Sequence, residues 1–220
     1  MSTHEPSPEV LDVDDDFEPV PPGRLTEEEF VAWCDRQEHV RAEWVDGEVI
    51  VMSPVNLDHA DLTGFLDSIL RTFVDRHGLG RVLPGEFTVR LGVRRRRRVP
   101  DLLFVGRERA HLLTKNYLDG PPDLAIEIVS RDSVARDWRE KYHDYEAAGV
   151  REYWIIDPLS ERFDAYRLID NPAGARFDRI EERADRVDSV VLPGFFLRPS
   201  WLWTRPLPRV HEVLRELGVN

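Results

Sequence analysis

Residues 121–158, PPDLAIEIVSRDSVARDWREKYHDYEAAGVREYWIIDP, decide the fold. Leu124 to Val129 is a short, mostly apolar run of the length and composition of a buried strand. Residues 133–149 follow with helix-forming side chains and stop at Gly149, the residue helices favour just past their C-terminal end. REYWIIDP, residues 151–158, is a second apolar run, halted by Pro158. Strand, helix and strand in this order describe a crossover within one sheet.

Working upstream, GRVLPGEFTVRLGV (80–93) and RRVPDLLFV (97–105) read as two further strands, joined at an arginine turn, Arg94 to Arg98. A loop from about Gly106 to Pro122 leads to the strand at 124. Before them, Leu62, Phe65, Leu66, Ile69, Leu70, Phe73 and Val74 recur at helical spacing in a segment that closes at Gly78. The central order is therefore helix, strand, strand, strand, helix, strand. It predicts an α/β fold with a mixed β-sheet core (αβββαβ) flanked by helices.

An extra N-terminal helix and β-hairpin precede that core. Thr26 with Glu29 three positions on is a capping-box pattern opening a helix at LTEEEFVAWCDRQ. Asp46-Gly47 is a hairpin turn between short strands in RAEWVDGEVIVMSP. Downstream, RFDAYRLI and RFDRIEE predict a strand pair, SVVLPGFFL another strand, and RVHEVLRELG a short helix. Trp201 and Trp203 are assigned to packing of this C-terminal segment.

The chain has 220 residues, 41% hydrophobic and 33% charged, ordinary for a soluble globular protein. No stretch approaches the roughly 20 apolar residues that span a bilayer, and no signal-peptide pattern opens it, so no membrane association is expected. Cys34 is alone, which rules out an internal disulfide framework and suits a reducing cytoplasm. The net charge of −12 is uneven: residues 1–22 carry seven acids and no Lys or Arg, leaving about −5 for the rest. Residues 1–23, Pro-rich and acidic, are expected to form a disordered tail, with one domain over 24–220. Of 30 basic residues only Lys115 and Lys141 are lysines, which hints that these sites require an amine rather than any positive charge.

Glu127 is the anomaly in the strand. Burying an ionised carboxylate without a partner costs several kcal/mol, so it should be paired, protonated or metal-bound. Asp123 lies about 13 Å away along the same strand at ~3.3 Å per residue, too far to share an ion with it. Asp101 is the better partner: if strands 99–105 and 124–130 are neighbours, the two carboxylates stand ~5 Å apart. Two oxygen donors so placed suit Mg2+ or Mn2+, and no Cys/His cluster points to zinc. On the following helix Val134, Trp138, Lys141, Tyr142 and Tyr145 share one face, which can aim a lysine at the carboxylates.

The segments VPDLLFV and PPDLAIEIVSRDSVARDWREKYHDYEAAGVREYWIIDP resemble the Uma-type endonucleases of the PD-(D/E)XK restriction-endonuclease-like superfamily. The likeness extends from AEWVDGEVIVMSP through His59 to VLPGFFL, most of residues 25–198. The superfamily pattern is an Asp and then Glu-x-Lys on the next strand, but Val129 stands here where the lysine belongs; in the Uma-type branch the lysine moves to the following helix, where Lys141 fits. The resemblance implies a restriction-endonuclease-like fold and metal-dependent hydrolysis of phosphodiester bonds, with DNA as the expected partner and a homodimer as an expected assembly. It implies that Asp101 and Glu127 hold Mg2+ or Mn2+ and that Lys141 orients the attacking water or stabilises charge on the phosphoryl transition state. It further implies Glu43 as an outer acid, His59 as a contact to phosphate or water, and Asp137 as the acid in a D…K spacing with Lys141. The rival expectation is a non-catalytic nucleic-acid-binding or regulatory module on the same fold. For Arg94 to Arg98 two readings stand open, a solvated turn and a phosphate contact that would make binding steeply salt-dependent.

Overall fold

Thr26 accepts a hydrogen bond from the Glu29 N–H at 3.2 Å, and the Glu29 carboxylate accepts one from the Thr26 N–H at 2.7 Å. This reciprocal cap starts helix α1 (Glu27–Cys34) as its sequence requires. The chain is described by a computed structural model over residues 18–37, 40–92, 95–130, 137–172 and 174–219, with the side chains of Asp137 and Trp138 also outside the description. Most of the expected tail therefore lies outside the described residues. Its last part does not behave as tail: the Glu18 carbonyl accepts from the Trp33 indole, its carboxylate pairs with Arg36, and Val20 packs beside α1. Trp33 is buried and its N–H needs an acceptor, which this segment supplies.

Asp46 and Gly47, both at positive φ, turn strand β1 (Ala42–Val45) into β2 (Glu48–Val51) as predicted. Asn56 caps the 21-residue helix α2 (Leu57–His77) and Gly78, in the left-handed conformation, ends it. All seven apolar residues named from the spacing are buried on one face of α2.

The expected strand over 80–93 is two. Strand β3 (Gly80–Pro84) pairs with β6 (Leu102–Gly106), whereas β4 (Thr88–Leu91) pairs with β5 (Arg96–Arg98) in a different sheet. Pro84 has no N–H to continue a ladder, and Gly85 passes so close to Asp101 that an added Cβ would lie 2.9 Å from its carbonyl oxygen. The chain leaves one sheet and enters the other there. The arginine turn is likewise corrected. Arg96–Arg98 form β5 in the interior of the second sheet, the turn is at Arg95 (φ 51), and Arg94 lies outside the described residues. A run of one residue type carries no alternation from which a buried face can be read.

The loop after β6 contains β7 (Tyr117–Asp119), parallel to β4. Strand β8 (Leu124–Ile128) is the apolar run of the opening stretch, and a π-helical turn (Asp137–Lys141) leads into helix α3 (Tyr142–Ala148) and strand β9 (Glu152–Asp157). Val134, with residues 131–136, lies outside the described residues. Strands β10 (Arg162–Ile169) and β11 (Arg176–Arg179) form the expected pair. The strand expected over 189–197 shrinks to β13 (Phe196–Leu197), paired with β12 (Val187–Asp188), because Leu192 to Phe195 makes a turn at Pro193-Gly194. Helices α4 (Pro199–Trp203) and α5 (Val210–Glu216) close the chain, with Trp201 buried and Trp203 packed against the core.

The six-stranded sheet has the order β11-β10-β9-β8-β6-β3, antiparallel except for the parallel β8–β9 pair. With α2 and α3 it is the αβββαβ unit, and its two faces follow from period two. Leu124, Ile126 and Ile128 face the core that contains α2. Ala125 and Val129, and hence Glu127, face the core that contains Tyr145 of α3 and Tyr153 of β9. The five-stranded sheet, β2-β1-β5-β4-β7, carries Glu43 and Arg98 into contact with the residues around α3.

Candidate active site

Strands β6 and β8 run antiparallel with Leu102 opposite Ile126, so one further step sets Asp101 opposite Glu127. The cross-strand placement expected from sequence is therefore what the register produces. Asp101 ends the ladder by accepting the Ile128 N–H on Oδ2 at 2.7 Å. Its other oxygen, Oδ1, stands 3.2 Å from His59 Nε2 and 3.5 Å from Arg41 Nη2. A bare Nε2 would set lone pair against lone pair, so this network assigns a proton to that nitrogen. His59 reaches the carboxylate because its own N–H is held by Asn56 Oδ1 at 2.9 Å in the cap of α2.

Lys141 is buried, and its Nζ stands 2.8 Å from Glu127 Oε2 and 3.3 Å from Glu43 Oε1. The second Glu127 oxygen accepts the Tyr145 hydroxyl at 2.7 Å. Lys141 and Tyr145 are four residues apart, one turn of helix, so both address the same carboxylate. Glu43 in turn accepts from Arg98 Nη1 at 2.7 Å and from the Val99 N–H at 3.1 Å. Arg98, wholly buried, completes the chain with Asp144 of α3 through Nε at 3.0 Å and Nη2 at 2.5 Å. The result is a continuous buried array: Asp144, Arg98, Glu43, Lys141, Glu127, with Asp101 and His59 alongside.

The electrostatics follow from these contacts. Burial opposes ionisation of Glu43, but the charges of Lys141 and Arg98 and the bonds from Val99 and Arg98 outweigh it and hold the carboxyl below the usual range. Burial opposes ionisation of Asp101 too, and His59, Lys141 and the Ile128 N–H bring it down. Burial and the neighbouring Glu127 and Glu43 raise the Tyr145 phenol well above its ordinary value, so it remains a donor.

All five residues singled out from sequence, Asp101, Glu127, Lys141, Glu43 and His59, thus meet in one place. The Asp137 side chain lies outside the description. Asp123 is elsewhere: it accepts from the Gly106 N–H at 2.7 Å and pairs with Arg109 and Arg151 at the other end of β8. The solvated-turn reading does not hold for the described strand residues, which form β5 and are ion-paired within the chain. Arg96 pairs with the exposed Asp46 and with Asp144, Arg97 with Glu27, and Arg98 with Glu43 and Asp144, so these arginines are counter-ions to the protein's own carboxylates. Asp144 and Arg41 escaped sequence reasoning, and Arg98 entered it only as a member of the arginine run. For Arg41 a signal existed, since period two puts it on the face of Glu43.

Among the described residues, no group of three or more His, Cys, Asp or Glu side chains is arranged to hold a metal ion. The donor set at Asp101 and Glu127 nonetheless fits Mg2+ or Mn2+ in chemistry. Both are carboxylates with further acceptor capacity on their oxygens, and hard divalent ions commonly take one or two carboxylates and complete their shell with water and phosphate. Among the described residues no helix is long and apolar enough to cross a membrane.

The sequence pattern of the family described as "Uma2: Putative restriction endonuclease" matches residues 27–200. Among solved structures, one described as a "putative nuclease belonging to DUF820 from Anabaena variabilis" superposes with a TM-score of 0.66 at 19% sequence identity. The match covers 81% of this chain and 97% of that one, which shows that the two share a mixed α/β fold. The search of curated proteins found no match.

Proposed function

The chain belongs to the Uma2 family, and on that premise we propose that it is a metal-dependent endonuclease that hydrolyses phosphodiester bonds in DNA, in a reducing cytoplasm. The observation that carries this reading is Lys141 Nζ at 2.8 Å from Glu127, on a strand whose register sets Asp101 opposite Glu127. Asp101 and Glu127 would hold Mg2+ or Mn2+, which when bound would supply Lewis acidity toward phosphate and water.

The protein's own groups do the remainder. Lys141 places a fixed positive charge beside the carboxylates, where it can stabilise the negative charge that develops on the phosphoryl oxygens during attack. Glu43 holds the ammonium from the far side at 3.3 Å, and Tyr145 fixes the orientation of Glu127. His59 steadies Asp101 and lies at the start of α2, within the groove that Asp101 also lines. A homodimer would present two such clusters to the two strands of a duplex.

The second reading, a non-catalytic nucleic-acid-binding module, is favoured by one observation: each buried carboxylate of the array already has cationic or hydrogen-bonded partners. Cleavage of labelled DNA and RNA with Mg2+, Mn2+ or EDTA separates the two. Endonuclease action predicts metal-dependent cuts lost in Asp101→Ala, Glu127→Ala and Lys141→Ala and impaired in Lys141→Arg. Nucleic-acid binding without cuts in any metal supports the second reading.

A further inference from the structure

A groove runs between the start of α2 and the turn from β3 to β4, lined by His59, Ala60, Thr63, Gly85, Asp101 and Arg41, among others. Arg41 is the cation of this groove whose role the array leaves open. Its polar contact among the described residues is one long approach, Nη2 at 3.5 Å from Asp101 Oδ1, an oxygen that His59 approaches more closely at 3.2 Å. Its Nε is buried with no hydrogen-bond partner among the described residues, and its side chain is 26% exposed. Arg98, a few residues from Asp101 in sequence, is the contrast: fully buried, with contacts of 2.5 to 3.0 Å to Glu43 and Asp144.

A guanidinium carries five donors in a planar fork matched to two oxygens of one phosphate. Arg41 spends little of that capacity, and Asp101 holds it at the mouth of the site without saturating it. Gly85 lies beside the guanidinium: a Cβ there would stand 3.0 Å from Arg41 Nη2, and the side chain would have to give by a few tenths of an ångström to admit it.

We propose that Arg41 is a substrate-binding residue that grips a non-bridging phosphate oxygen of the nucleic-acid strand where it passes Asp101. The proposal rests on the nuclease reading above and assigns to the groove a ligand class, the phosphodiester backbone. It places sequence-independent affinity in Arg41 rather than in the arginine run, whose described strand members pair with the protein's own carboxylates.

The test is fluorescence anisotropy of a labelled DNA duplex in EDTA, titrated with salt, for wild type, Arg41→Gln and Arg41→Lys. Matched melting temperatures establish that the variants are folded. Arg41→Gln is expected to weaken binding about tenfold, and the slope of log K against log salt should fall by about 0.9, the value for one phosphate contact. Arg41→Lys should keep the slope and lose part of the affinity, because an ammonium cannot form the two-pronged contact. Wild-type affinity and slope in Arg41→Gln, in a protein that binds DNA, would overturn the role of Arg41 and leave the nuclease reading intact. A wild-type protein that neither binds nor cuts nucleic acid would overturn both.

Discussion

Replacing Lys141 with Met keeps the length of the side chain and removes its charge from between two buried carboxylates, Glu127 at 2.8 Å and Glu43 at 3.3 Å. Removing one partner of a buried ion pair typically costs about 3–5 kcal/mol, because the remaining charge is left uncompensated. In a chain of 220 residues each kcal/mol moves the melting temperature by roughly 2–4 °C, so the variant should melt roughly 6–20 °C below wild type at pH 8. The deficit should narrow as the pH falls toward 5. In wild type the Glu43 carboxyl is held below its ordinary value, so its contribution is present above the unfolded value and is lost only as pH drops through the lower, folded one. In the variant a carboxyl stripped of its cation rises above the unfolded value of about 4.3, and its protonated form restores stability as the pH is lowered. Melting curves by circular dichroism between pH 5 and pH 8 measure both effects. A variant within about 2 °C of wild type across that range would refute the buried pair, and with it the placement of the lysine.

Two further outcomes follow from neighbouring contacts. Gly85→Ala would bring a methyl to 2.9 Å from the Asp101 carbonyl oxygen and 3.0 Å from Arg41, so DNA cleavage should fall at least about tenfold through displacement at the site, as single-turnover rates would report. Asp123→Asn weakens acceptance from the Gly106 N–H and the pairs with Arg109 and Arg151; unfolding in urea should show a loss of about 1–3 kcal/mol while the cleavage rate stays within about twofold of wild type.

Much of this arrangement is legible in the sequence because its signals are local. The seven apolar positions of α2 and its stop at Gly78 belong to one continuous helix. The pairing of Asp101 with Glu127 needs only that two apolar runs be neighbours, and alternation fixes the rest. What sequence conceals is assignment to sheets. Nothing local in GRVLPGEFTVRL announces that β3 and β4 belong to different sheets; Pro84 and Gly85 mark the break only once the approach to Asp101 is known. The arginine run fails for a related reason. Its members look solvated until Glu27, Glu43 and Asp144, scattered over more than a hundred residues, are brought around them.

The bond from Arg98 to Glu43 also limits how the protein can be cut down. The stretch from α2 to β9 contains Asp101, Glu127 and Lys141 and looks like a portable module. Excised alone, it would lose β1, and with it the acid that faces both Arg98 and Lys141. A transplanted minimal core would carry Asp101, Glu127 and Lys141 yet hold two cations crowded on one side of an empty position. The hairpin before the core thus belongs to the same buried array, and grafts or truncations should be drawn from its first strand onward.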